Sequence, residues 1–230
     1  MGAYSLVISF HQVIIILNIA SSLGIENIAD TATVLNRPRA YTRSENLYEQ
    51  GFNKIKTQNY QEAIEILNQS LQLNPAYAPA YLSRGVARNA LADYQGAIQD
   101  YTQAIAINPI LVEAYVGRGD ARQAIGDWQG AISDFNQALR IDPQDSEAYY
   151  NRGIVQDSLG DEQRAIADFT QAIRLNPGFA EAYADRGIAR YRLGDKQQGV
   201  KDLRQAAKLF LNQGDRTNYQ RTLDLIRRNQ

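Results

Sequence analysis

The chain has 230 residues, of which 44% are hydrophobic and 21% charged, so it can bury a core. Its 24 basic and 25 acidic residues nearly balance, and no excess of positive charge favours nucleic acid as a partner. It has no cysteine, which excludes disulfides, thiolate nucleophiles and cysteine metal sites. Its single histidine, His11, leaves little for a histidine-based catalytic centre. We therefore expect no enzymatic activity, no metal site and no cofactor.

Residues 1–25 form an apolar leader that polar residues interrupt, and its apolar part spans residues 5–25. No Lys or Arg precedes this part, which makes it a weak signal peptide, and as a membrane anchor it is marginal in length and polarity. Export, membrane anchoring and a packed or poorly ordered leader therefore stay open. His11 is predicted to be a packed or interfacial residue rather than a ligand.

Residues 26–43, which contain Asn36-Arg37-Pro38, are predicted to be a linker. If the leader inserts in a membrane, the arginines of this linker favour a cytoplasmic position for the rest of the chain. We therefore expect a cytoplasmic protein, with a membrane tether through residues 5–25 as an alternative.

The rest of the chain repeats itself. Four prolines, Pro75, Pro109, Pro143 and Pro177, recur every 34 residues. Taking each proline as position 32 gives units 44–77, 78–111, 112–145 and 146–179, and a fifth unit, 180–213, has Leu211 instead of proline.

Each unit has the pattern of two antiparallel helices. Large residues recur at positions 4 and 24, and small ones at positions 8, 20 and 27, where they allow close approach of the helices. Gly-Asp pairs, as at Gly126-Asp127, predict a left-handed helix end followed by an N-cap. The residue before each proline disfavours helix, which ends the second helix of the hairpin.

The pattern aromatic-x-x-x-Gly, Ala-x-x-x-aromatic and terminal Pro resembles the tetratricopeptide repeat family. The amino-acid sequence of the units is similar to that of repeat proteins of photosynthetic bacteria. We therefore predict an all-α solenoid of five hairpins over residues 44–213. In the remaining residues, 214–230, Tyr219, Leu223 and Ile226 recur at helical spacing and predict an amphipathic capping helix.

Position 7 is arginine in units two to five, and position 23 is aspartate in the same four units, whereas the first unit lacks both. Since an unpaired charge at a packed position is costly, we predict a structural pair in each unit. The pairs are Arg84 with Asp100, Arg118 with Asp134, Arg152 with Asp168, and Arg186 with Asp202. A row of arginines that binds anions, extended by Arg88, Arg122 and Arg190 at position 11, is the alternative.

The first helix of each unit carries a second stripe at positions 5, 9 and 12, beside the face that packs within the hairpin. The family resemblance implies that this stripe lines a concave surface that binds peptides. The predicted partner-binding residues are Tyr48, Phe52, Ile55, Leu82, Val86, Asn89, Val116, Asp120, Gln123, Tyr150, Asn151, Ile154, Asp157, Ile188 and Tyr191. Packing against the adjacent unit is the alternative role for each of them.

The carboxylate clamp of tetratricopeptide co-chaperones, which binds the C-terminus of heat-shock proteins, is not expected here. That clamp uses Lys at positions 2 and 5, but position 5 here is Tyr, Leu, Val, Tyr and Ala, and position 2 is Glu in four units. The carboxylate of such a ligand would meet acids where the family places lysines.

We therefore predict a non-enzymatic scaffold that binds a protein or peptide in its groove. A membrane-tethered assembly factor or chaperone, for example for a photosystem, is the alternative. A carboxylate-dependent enzyme is a remote alternative, because it needs paired acids and a reason for a raised pKa.

Overall fold

The computed structural model describes residues 39–228, and in this range the chain forms helices without strands. In chain order they are α1 (Arg39–Lys56), α2 (Tyr60–Leu73), α3 (Ala78–Ala90), α4 (Tyr94–Ile107), α5 (Val112–Ala124), α6 (Trp128–Ile141), α7 (Ser146–Ser158), α8 (Glu162–Leu175), α9 (Ala180–Arg192), α10 (Lys196–Asn212) and α11 (Arg216–Arg228). Consecutive helices pack against each other, and α1, α3, α5 and α7 also contact the next odd-numbered helix. This arrangement is an α-solenoid of stacked hairpins. The apolar leader lies outside the described residues.

Turns between the two helices of a hairpin use the predicted signals. Gly126, Gly160 and Gly194 adopt positive φ angles of 80°, 80° and 90°. The aspartate after each glycine caps the next helix, as when Asp127 Oδ1 accepts a hydrogen bond from the Gly130 N–H. In the first two hairpins Gln58 and Ala92 hold the same left-handed conformation, with φ of 60° and 61°. The turn geometry is therefore kept without glycine, at a conformational cost.

Each hairpin closes around one large side chain of its second helix. Leu67, Tyr101, Phe135, Phe169 and Leu203 are almost fully buried, and buried alanines surround them. Only a residue without Cβ fits opposite, since a Cβ on Gly119 would lie 2.7 Å from a Phe135 ring carbon. The repeating core is therefore one aromatic or leucine side chain per hairpin, set against glycine and alanine.

The two ends of the solenoid depart from the regular pattern of the units. The linker was predicted to end at residue 43, but α1 begins at Arg39. Ser44 is fully buried, and its hydroxyl donates to the Ser70 carbonyl at 2.9 Å, so the helix is anchored at this point. At the other end, α10 has 17 residues where α8 has 14, because Leu211 replaces the proline that limits the other second helices.

The last helix, α11, packs on α10 and covers the end of the fifth hairpin. Tyr219 packs against the cluster of Ala180, Ala206 and Phe210, and Ile226 is 8% exposed. Within residues 39–228, none of the helices combines the length and apolarity needed to span a bilayer.

Candidate functional site

A groove of about 480 Å³ opens between the first helices of the first three hairpins. We call it the concave groove. Its lining residues are Tyr48, Phe52, Ile55, Leu82, Ser83, Val86, Asn89, Tyr101, Glu113, Val116, Gly117, Asp120, Asp145 and Glu147. Helices α1, α3 and α5 supply most of them, and the start of α7 supplies the last two.

The floor of the groove depends on a close approach between a tyrosine and two glycines. Tyr101 is 2% exposed, and its ring lies against Gly85 of its own hairpin and Gly117 of the next. A Cβ on Gly117 would lie 2.6 Å from Tyr101 Cζ, so a larger residue there would displace the ring. Glycine at position 117 therefore sets the depth of the groove.

One end of the groove is apolar. The rings of Tyr48 and Phe52 stack with centroids 5.9 Å apart, and Tyr48 meets Tyr77 edge-on at 5.3 Å. Val86, on α3, also lines the groove and is 40% exposed. This end presents aromatic surface, and Lys56 Nζ lies 4.5 Å from the centroid of the Phe52 ring.

The other end is acidic. Glu113, Asp120, Asp145 and Glu147 line it, and no Lys or Arg does. Burial, and secondarily the charge of Glu147, raise the pKa of Asp120 to about 7, although a hydrogen bond from Asn151 Nδ2 at 3.0 Å opposes the increase. Asp120 therefore exchanges its proton near neutral pH.

Eight of the fifteen predicted partner-binding residues line the concave groove: Tyr48, Phe52, Ile55, Leu82, Val86, Asn89, Val116 and Asp120. Asn151 does not line it but donates to Asp120. The other six, Gln123, Tyr150, Ile154, Asp157, Ile188 and Tyr191, lie outside it. The structure thus brings together the stripe of the first three units except Gln123, and not that of the fourth and fifth units.

In the fourth and fifth units the stripe makes contacts within the solenoid. The Tyr150 hydroxyl donates to Asp185 Oδ2 at 2.9 Å, and the Tyr150 ring packs 4.6 Å from that of Phe179. Asp157 forms an ion pair with Arg192. Because these side chains join α7 to α9, the surface that is open in the first three units is occupied here.

Six lining residues were not predicted: Ser83, Tyr101, Glu113, Gly117, Asp145 and Glu147. The sequence holds a signal for Glu113 and Glu147, since glutamate recurs at position 2 of the unit. Tyr101 is the large residue at position 24 of its unit, and its ring lies both in the hairpin core and at the floor of the groove. Asp145 caps α7 through hydrogen bonds from the N–H groups of Glu147 and Ala148. Nothing in the sequence around it indicates that it also lines the groove.

The arginine–aspartate pairs form a separate, regular system. Arg84 Nε and Nη2 donate to the two carboxylate oxygens of Asp100 at 2.9 and 2.6 Å, and the other three pairs repeat this bidentate geometry. All four aspartates are at most 5% exposed. In units two to five a tyrosine at position 4 also lies under the guanidinium group, at 5.4 Å for Tyr81 and Arg84.

Each of these arginines also connects two hairpins. Arg84 Nη1 donates to Asn68 Oδ1 of the preceding hairpin at 2.6 Å, and Arg118 Nη1 donates to Thr102 Oγ1 at 3.1 Å. Arg152 and Arg186 make the same bridge to Asn136 and Thr170. The set of pairs is therefore an interlocked ladder along the solenoid, and we call it the arginine ladder.

The second arginines, at position 11, join the same ladder. Arg88, Arg122 and Arg190 donate to Asp100, Asp134 and Asp202 at 2.9, 2.8 and 2.7 Å. The fourth unit has Gln156 at this position, and its Oε1 atom is buried without a hydrogen-bond partner among the described residues. None of the ladder arginines lines the concave groove.

Comparisons with known proteins agree with this architecture. Residues 48–109 and 146–179 match family models described as "Tetratricopeptide repeat", and residues 119–160 match one described as "TPR repeat". A search among curated proteins finds no match.

Three solved structures illustrate the likeness. The Arabidopsis OM64 TPR domain is 30% identical, with a TM-score of 0.51, over 52% of this chain and 98% of that domain. A crystal structure of MamA is 25% identical, with a TM-score of 0.66, over 72% of this chain and 96% of MamA. YrrB, described as "a TPR protein with an unusual peptide-binding site", shares the fold at 16% identity and a TM-score of 0.61, over 77% of this chain and 90% of YrrB.

The resemblance to repeat proteins of photosynthetic bacteria stays a prediction.

The 34-residue period, the stacked hairpins and the matched regions agree with one another. The chain belongs to the tetratricopeptide repeat family, and its repeats form a scaffold for protein–protein interaction.

Proposed function

We propose that the concave groove binds a short segment of a partner protein. The observation that carries this proposal is the open apolar surface between α1, α3 and α5, which includes Val86 at 40% exposure. Most second-stripe residues of the first three units line this surface. Tyr48, Ile55, Leu82 and Val116 also pack against the hairpin cores and are only partly buried there, so apolar surface remains open to a partner. Apolar side chains of a partner would cover it.

The size of the groove favours a segment over a folded domain face. About 480 Å³ is within the range of pockets that hold a few side chains. Helix and extended-chain recognition both place such anchors in a groove. The peptide-binding site named for YrrB, which has the same fold, supports this use of the solenoid.

The proposal is tested by selecting peptides from a random display library on the full chain and measuring their affinity by calorimetry. Val86→Gln removes apolar surface from the groove without adding charge, and we expect it to weaken binding at least several-fold. Ile110→Gln is the matched control, because Ile110 is 72% exposed and lies outside the groove. Peptides that bind both variants like the parent, or a library that yields no binder, would overturn the proposal.

We further propose that the chain is not an enzyme and binds no cofactor. Proteins of this family are generally interaction modules, and burial with neighbouring acids accounts for the raised pKa of Asp120. Among the described residues, no group of three or more His, Cys, Asp or Glu side chains could hold a metal ion.

The membrane-tethered assembly factor or chaperone, with a photosystem as one example of its target, stays the second candidate. Its anchor, residues 5–25, lies outside the described residues. Fractionation of cells that express the full chain, or a form lacking residues 1–25, distinguishes a tethered protein from a cytoplasmic one. We expect the recovery of the two forms in the membrane fraction to differ if the leader is an anchor.

A further inference from the structure

The charged side chains that line the concave groove are all acidic. Glu113, Asp120, Asp145 and Glu147 contribute carboxylates, and no basic side chain lines the groove. Asn89 adds an amide oxygen, Oδ1, that is buried without a hydrogen-bond partner among the described residues. A ligand for this end must therefore bring hydrogen-bond donors and positive charge.

Asp120 is partly buried, whereas Glu113 and Glu147 are exposed. Asp120 Oδ1 accepts from Asn151 Nδ2, and the described residues provide no other hydrogen bond to its side chain. The groups that face it are acidic or neutral: Glu147 comes from α7, Asp145 is the N-cap of that helix, and Tyr101 comes from α4. Glu113, on the same helix, lines the same end of the groove. The negative charge of Asp120 has no cationic partner in this part of the chain.

A lysine or arginine side chain fits this environment. Both carry donors only, and both have apolar stems that can cross an apolar surface while the charged end reaches a carboxylate. The apolar residues Leu82, Val86 and Val116 line the same groove as Asn89 and Asp120. The apolar stem of the ligand side chain can therefore contact the first three residues while its cationic group contacts the last two. An acidic segment would instead meet like charges.

We propose that the concave groove selects a segment in which a lysine or arginine lies close to apolar side chains, with the cationic group held by Asp120 and Asn89. This inference rests on the proposed function, since it names the class of segment that the groove binds. It assigns the acidic end to specificity and the apolar end to contact area.

The proposal has a consequence for pH. With a pKa of about 7, the carboxyl of Asp120 is largely protonated below neutral pH in the free protein. A bound cation favours the ionised form, so binding releases a proton and the affinity increases with pH. If the cation lowers the pKa by two units or more, affinity rises about tenfold between pH 6 and pH 8.

The experiment uses dodecapeptides selected at about pH 8 from an unbiased random library on the full chain. We expect the selected sequences to be enriched in Lys or Arg beside apolar residues. For the strongest peptide, replacing its basic residue by norleucine should weaken binding at least tenfold and abolish the pH dependence. Asp120→Asn, which keeps the shape and an acceptor for Asn151, should have the same two effects. Glu65→Gln is the control, because it removes one charge from an exposed position outside the groove.

The outcomes separate this inference from the proposed function. If Val86→Gln weakens peptide binding, but neither the norleucine replacement in the peptide nor Asp120→Asn in the protein does, the basic-residue inference is overturned and the peptide groove stays in place. Peptides insensitive to Val86→Gln would overturn both. A circular dichroism spectrum of Asp120→Asn that matches the parent ensures that a loss of binding is not a loss of fold.

Discussion

Replacing Asp134 by alanine removes the acceptor that two arginines of the third unit share. Asp134 accepts from Arg118 Nε and Nη2 at 3.0 and 2.7 Å and from Arg122 Nη1 at 2.8 Å. The carboxylate is 2% exposed, and the Arg118 side chain is 14% exposed. We therefore expect the substitution to leave a charge in a partly desolvated site.

The magnitude follows from the burial of the two arginines. Arg122 is 25% exposed and lies 3.6 Å from Asp127, so it can turn toward that residue. Arg118 has no such alternative acid in the described contacts and loses two charge-assisted hydrogen bonds. Breaking a buried pair costs about 3 to 5 kcal/mol, and partial exposure places the expected loss near the lower end, at about 3 kcal/mol.

Urea unfolding followed by circular dichroism measures this loss. Asp168→Ala provides an internal comparison, because Asp168 holds Arg152 alone and the fourth unit has Gln156 where others have a second arginine. We expect Asp168→Ala to cost about 1 kcal/mol less than Asp134→Ala. Asp224→Ala, at an exposed pair with Arg227, should change stability by less than about 0.5 kcal/mol. Unchanged stability of Asp134→Ala, together with lost binding of an anionic ligand, would favour the anion-binding row of arginines.

Three further predictions concern the turns, the terminal helix and the groove. Ala92→Gly, at a φ of 61°, should stabilise the fold by up to about 1 kcal/mol, whereas Gly126→Ala should destabilise it by about 1 to 2 kcal/mol; thermal unfolding of both variants checks this. Ending the chain after Gly214 removes α11, and light scattering should then show aggregation, because the face around Phe210 becomes exposed; a monodisperse, fully helical product would contradict the capping role. The pKa of Asp120 in the folded state is raised from 3.8 to about 7, so this residue lowers the free energy of unfolding as pH rises from about 4 to 7, by at most about 4 kcal/mol. In urea unfolding, the stability of Asp120→Asn should therefore decline less over this range than that of the parent. Parallel pH profiles of the two proteins would contradict this.

The fold was accessible from the sequence because its determinants are local and repeated. Position 24 supplies the core side chain of each hairpin, as Phe135 and Phe169 show by their complete burial. The co-occurrence of arginine at position 7 and aspartate at position 23 predicted contacts that the structure contains. The bridges from these arginines to Asn68 and Thr102 of the preceding hairpin were not predicted, since asparagine and threonine alternate there and leave no charge pattern.

The limits of the groove were not accessible in the same way. The second stripe has the same positions in every unit, but only the packing between units determines where it stays open. Tyr150 illustrates this, because its contacts with Asp185 and Phe179 close the surface that Leu82 and Val116 leave open. The acidic end also combines residues of two units, Asp120 from one and Glu147 from the next, which no single repeat reveals.

A crystal structure of the full chain with a selected peptide tests the central claim most directly. It should show the peptide along α1, α3 and α5, with apolar side chains over Tyr101 and Val86 and a lysine or arginine within hydrogen-bond distance of Asp120. A peptide bound on the second helices, or on the surface of the fourth and fifth units, would contradict the assignment of the concave groove as the binding site.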